Sequence, residues 1–157
     1  MNNLSVFEKT FIVVSFAFQF MLICHFALRR WRFDQAIHYG WIVYAASIPA
    51  ALVSIYFLFS GISWSIWLGG FIYLVWASYG YYVEYIQHIE WRTPIRLSIL
   101  VPYITLYLAT VMFYWWPLAL LDKPLWYFYG VLFLISTALN INSHQENVKV
   151  EFKERVI

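Results

Sequence analysis

Between Trp41 and Val83 the sequence contains no Asp, Glu, Lys, Arg or His. A hydrocarbon layer about 30 Å thick needs roughly 20 apolar residues per crossing helix, so this run is too long for one crossing and right for two. The segment Phe59-Ser60-Gly61-Ile62-Ser63 divides it, and Gly61 can take turn geometry without a steric penalty. The rest of the composition agrees. Hydrophobic residues make up 63% of the chain, charged ones 11%, and the mean hydropathy is +0.66. Soluble domains carry about 25% charged residues, and 157 residues cannot hide this much apolar surface from water.

The flanking sequence supplies three more crossings. Thr10 to Leu28 is long enough for a full span. Glu8-Lys9 precedes it instead of a basic leader, and Arg29-Arg30-Trp31-Arg32 follows it instead of a small-residue cleavage site, so it reads as a retained helix. A fourth helix runs from about Leu97 to Trp116 and is closed by Pro117. Asp122-Lys123-Pro124 marks a polar turn, and a fifth helix starts near Leu125 and fades into Asn140-Ile141-Asn142. The expected fold is an all-α, polytopic integral membrane protein, a single domain over 1–157. Its bundle has five transmembrane helices at approximately 8–28, 40–59, 64–86, 97–116 and 125–142, with a polar cytoplasmic tail over 143–157.

Charge asymmetry orients this bundle. With the N-terminus outside, the inner loops and tail hold Arg29, Arg30, Arg32, Arg92, Arg96, Lys149, Lys153 and Arg155, against Lys9 and Lys123 outside. Such a bias is the positive-inside pattern and gives N-out, C-in, in a plasma or inner membrane. The tryptophans fall at the same boundaries: Trp31, Trp41 and Trp91 at inner ends, Trp64, Trp67, Trp115, Trp116 and Trp126 at outer ends, and Trp76 alone at mid-span. Indole rings favour the headgroup level, where the ring is apolar and the N–H stays wet.

Small residues predict where helices meet. Ala46, Ala50 and Ser54 repeat at four-residue spacing, and Gly69, Gly70, Ala77 and Gly80 face them across the Gly61 turn. Lipid offers no hydrophobic drive between helices, so such stripes mark close contact, within the hairpin or in a homo-oligomer. Pro49 and Pro102 lie inside helices and predict kinks at mid-depth. The lone Cys24, in an apolar stretch, excludes a disulfide framework and a cysteine-based zinc site and is expected as a small buried thiol.

Chemistry-bearing residues are few. Ionisable groups inside a membrane mark ion paths and proton relays, and these spans hold almost none, which counts against a pump, channel or proton-coupled carrier. Gln19 is the one strongly polar residue deep in the first helix and is expected to bond across to another helix. His25, one turn before the arginines, could ligate a haem only with a partner at equal depth. The richest stretch is Tyr81 to Arg96. If the third helix continues inward, Glu84 and His88 fall at i and i+4 on one face, where a carboxylate can orient a histidine as a base. Glu90 is a third catalytic candidate, and Arg92 and Arg96 could grip an anionic headgroup through their forked donors. No metal motif and no nucleic-acid footprint is present. The final segment, Asn147 to Ile157, alternates apolar and charged residues at period two, and could pair as a short strand with a partner protein, lie on the membrane surface or be disordered.

The function expected from these features is non-catalytic: an accessory subunit of a membrane assembly, or a binder of an apolar ligand such as a quinone, sterol, isoprenoid or pigment. The aromatic content of 23% favours the ligand, since rings line apolar pockets well. The alternative is a membrane-embedded enzyme acting on a lipid or isoprenoid headgroup at the cytoplasmic rim through Glu84, His88 and Glu90. A small transporter or channel stands third. The cofactor, if any, is left open.

Overall fold

Ser5 starts the first helix by a capping box: its hydroxyl accepts from the Glu8 amide at 3.3 Å, and the Glu8 carboxylate accepts from the Ser5 amide at 2.7 Å. From there the computed structural model is helical throughout, with no strand among the described residues, which are 4–89 and 96–154, with side chains to 141. The elements are α1 (Val6–Trp31), α2 (Phe33–Tyr39), α3 (Trp41–Ala45), α4 (Ser47–Phe59), α5 (Trp64–Tyr81), a π-helical turn (Tyr82–Ile86), α6 (Leu97–Leu121) and α7 (Lys123–Glu154).

Four segments are long and apolar enough to cross a membrane: Val6–Trp31, Phe33–Phe59, Leu97–Leu121 and Lys123–Ile141. The chain is therefore an all-α membrane bundle. Helix α5, 18 residues without a charge, carries three Trp, three Tyr and three Gly. It is the innermost element, packed along α4 on one side and α6 on the other. Side-chain contacts fix the directions. Trp64 meets Trp116 while Tyr79 reaches Ile99, so α5 and α6 are antiparallel. Phe16 meets Phe128, and Gln19 meets Leu132 and Ser136, so α1 and α7 are parallel. Phe7 meets Phe57. Hence Ser5, the Gly61 turn and Asp122 share one end of the bundle, and Arg29, Glu84 and Arg96 share the other.

Several boundaries depart from expectation for identifiable reasons. The second helix is interrupted at Ala46, because Pro49 has no N–H for the Ala45 carbonyl and its ring crowds the preceding turn. Two carbonyls beside the break are met by side chains: Tyr44 O accepts from Ser47 Oγ at 2.6 Å, and Val43 O accepts from the Tyr73 hydroxyl of α5. Pro117 was expected to end the fourth helix, yet α6 runs on to Leu121. The carbonyl Pro117 cannot serve is Phe113 O, which lies against Gly69, where a Cβ would come within 3.3 Å of it. Pro102 lies in uninterrupted helix, so the two expected mid-depth kinks reduce to one break. Past Ile141 the backbone stays helical to Glu154. Cys24 is exposed on the outer face of α1 and is not buried.

The small-residue stripes do meet within the chain. A Cβ on Gly70 would collide with Ser54 Oγ and come within 2.7 Å of the Ala50 carbonyl, while Ala50, Ala51, Ser54 and Ala77 are buried. Backbone contact this close between α4 and α5 requires glycine at position 70. Gly70→Ala should therefore lower unfolding stability by about 1–3 kcal/mol. Adding Ser54→Ala should recover part of the loss, measured by denaturant titration in detergent micelles.

Candidate functional site

The middle of the bundle is filled by rings from four helices. Phe18 of α1 packs on Tyr73 at 4.7 Å and on Tyr114 at 5.1 Å between centroids. Tyr73 stacks on Trp76 at 5.8 Å, and Trp76 lies 5.6 Å from both Tyr103 and Tyr107 of α6. From α7, Tyr129 meets Phe16 edge-on at 5.6 Å. Rings of this size hold the backbones apart and fill the space between them. Register explains the arrangement: Tyr103, Tyr107, Thr110 and Tyr114 recur at helical spacing on α6, and Tyr129, Leu132 and Ser136 do so on α7.

A hydrogen-bond inventory separates the partnered groups of this core from the rest. Gln19 Nε2 donates to Leu132 O at 3.1 Å and to Ser136 Oγ at 2.8 Å, the cross-helix bond the sequence implied. Ser136 Oγ donates to Phe133 O, Thr110 Oγ1 to Leu106 O, and Ser15 Oγ to Phe11 O, all within their own helices. Among the described residues, five buried groups of this core have no hydrogen-bond partner: Gln19 Oε1, the Trp76 indole N–H, and the hydroxyls of Tyr107, Tyr114 and Tyr129; Arg30 Nε, outside the core, is a sixth. The Tyr107 hydroxyl lies beside Ser136. The hydroxyls of Tyr107, Tyr114 and Tyr129 are close enough to interact electrostatically.

A second cluster sits at the arginine-bearing end. The Tyr44 hydroxyl donates to Glu84 Oε2 at 2.7 Å and lies 3.4 Å from the Tyr103 hydroxyl. Tyr81 and Tyr85 stack at 5.2 Å beside it. Gly40 passes so close that a Cβ there would come within 2.8 Å of the Tyr85 hydroxyl and 3.4 Å of His25 Cε1. Arg29 is buried nearby on α1, at 8% exposure. The π-helical turn that carries Glu84 is a rare local form, often found at functional sites.

The expected pairing of Glu84 with His88 does not form as a helix face. The helix ends at Ile86, and His88 has φ of 48°, which turns the chain away and leaves His88 exposed. Arg96 is exposed as the residue capping α6. Glu90 and Arg92 lie outside the described residues. Among the described residues no three His, Cys, Asp or Glu groups assemble as metal donors. The residues that sequence reasoning passed over are the tyrosines. Their signal was the aromatic repeat on α6, indistinguishable in a chain this aromatic from ordinary packing. No family model matches the chain, and no curated protein or solved structure does either.

Tyr73 tests how far the core depends on its bonded hydroxyls. Tyr73→Phe keeps the ring and removes the donor to Val43 O at the helix break, so stability should fall by about 1–3 kcal/mol. Tyr127→Phe, on an exposed ring, should stay within about 0.5 kcal/mol of the parent in the same thermal unfolding assay.

Proposed function

We propose that this protein is a non-catalytic membrane bundle that holds an apolar ligand with a polar end, the ligand's polar atoms meeting the tyrosine core. One observation carries the reading: five buried polar groups of the aromatic core have no hydrogen-bond partner among the described residues. Each such group costs about 1–3 kcal/mol when left unmade. Five together approach the entire stability of a domain, about 5–15 kcal/mol. A guest that bonds to several of them converts that cost into binding affinity. The surrounding rings supply the apolar contact that small-molecule sites use for most of their area. Helices α6 and α7 expose most of their apolar residues outward, so a molecule dissolved in the membrane reaches this side directly.

The rim reading drew on Glu84 and His88 sharing a helix face, and the end of the helix at Ile86 withdraws that support. The orientation is part of the proposal too: the Ser5, Gly61 and Asp122 end faces outward, and the arginines face the cytoplasm.

Two measurements check these statements. Protein purified in its native lipid, extracted with organic solvent and compared with the bulk lipid, should yield one enriched apolar compound at near-equal molar ratio. A folded, stable bundle with nothing enriched would remove the ligand reading. For orientation, Asp122→Cys in a Cys24→Ser background should react with a membrane-impermeant maleimide on intact cells, while Arg96→Cys should react only after lysis.

A further inference from the structure

Helix α1 ends in arginines whose surroundings differ. From Thr10 to Arg29 the helix rises about 29 Å at 1.5 Å per residue, close to one hydrocarbon thickness, so its last turn emerges at headgroup depth. Arg29 is 8% exposed and engaged within the protein. Arg30 is placed otherwise. Its guanidinium carbon stands 5.6 Å from the centroid of the Trp31 ring, and its Nε is buried with no acceptor among the described residues. Arg32, which caps the helix, is exposed. The surface around these charges is apolar. Trp31, Phe33 and Ile37 are all exposed, the last two one turn apart on α2.

A guanidinium at the edge of hydrocarbon, with its Nε covered and unmet, takes its counter-charge from outside the chain. We infer that the end of α1 holds the phosphate of an anionic phospholipid, gripped by the donors of Arg30 and Arg32. Its acyl chains lie against Trp31, Phe33 and Ile37. Arginine suits this task because its planar fork matches two oxygens of one phosphate, and the indole beside Arg30 supports the cation. An acidic peptide would satisfy the charges but leave the exposed rings and Ile37 unmatched. A zwitterionic headgroup carries its own cation next to the phosphate and gains less from two arginines. The inference depends neither on a ligand in the tyrosine core nor on which end of the bundle faces the cytoplasm.

The test uses the full chain in a neutral detergent. Native mass spectrometry counts the lipid retained from an equal mixture of phosphatidylglycerol and phosphatidylcholine with the same acyl chains. The unaltered protein should retain phosphatidylglycerol at least about tenfold more than phosphatidylcholine. Arg30→Gln with Arg32→Gln should abolish that preference in protein that circular dichroism shows to be folded. Arg96→Gln with Lys149→Gln removes as much charge from the same end and should leave the preference within about twofold. Equal retention of both lipids by the unaltered protein overturns the inference whether or not a variant folds, and leaves these arginines to an acidic protein partner. An equal loss in the two double variants also overturns it, because the attraction then belongs to the whole arginine-bearing end and not to a site on α1.

Discussion

Hydrocarbon offers no hydrogen-bond partner, so every N–H and C=O placed in it must be met by the chain itself. Regular helix does this along most of the sequence, and the irregular places show the same constraint at work. Where Pro49 breaks the second span, a serine in the next turn and a tyrosine from the neighbouring helix take up the carbonyls around the break. Where Pro117 leaves Phe113 O without an amide, that oxygen is laid against Gly69, where no side chain intervenes. The glycine and the proline sit on different helices and are parts of one contact.

The same constraint explains why the central helix α5 is not among the four segments apolar enough to count as spans. Helix α5 presents Ser65, Gly69, Gly70, Tyr73, Trp76, Ala77 and Gly80 to its neighbours, all buried. Hydropathy ranks such residues low because it measures transfer into oil, and these residues face protein. The lipid-facing surfaces belong to α4, α6 and α7, with exposed Leu52, Ile55, Ile104, Leu108, Leu134 and Ile135. Helix pairs close up through glycine, alanine and serine, and the wider gap among α1, α5, α6 and α7 is filled with rings. Both devices serve packing where no water is available to be expelled.

Membrane class, the all-α fold and the glycine contact between α4 and α5 were legible in the sequence, because each depends on a property written locally: charge-free length, turn residues and side-chain volume. The tyrosine core was not. Its members come from α1, α5, α6 and α7, and whether a phenol finds a partner depends on the rotation of one helix against another. Proline positions misled in both directions for a related reason. Pro49 and Pro117 are the same residue in the same medium, and what differs is the neighbouring helix, which offers the Tyr73 hydroxyl at one break and a bare glycine at the other. At the arginine-bearing end, spacing alone placed Glu84 and His88 together, but the backbone changes winding at Tyr82 and stops at Ile86. Glu84 turns instead to Tyr44, a residue 40 positions earlier that no local pattern connects to it.

The choice between tyrosine and phenylalanine separates packing from chemistry in this core. Phe11, Phe18 and Phe26 of α1 fill it from one side and need no partner. Tyr107, Tyr114 and Tyr129 complete it from the other, in rings of nearly the same shape, each with a hydroxyl that the fold does not use. If shape alone mattered, phenylalanine would serve at these three positions without the desolvation cost. Trp76 Nε1 and Gln19 Oε1 repeat the pattern at one atom each, although Gln19 Nε2 also ties α1 to α7. Under the ligand proposal, polar atoms that cost stability without a protein partner are where the missing half of each interaction arrives with the bound molecule.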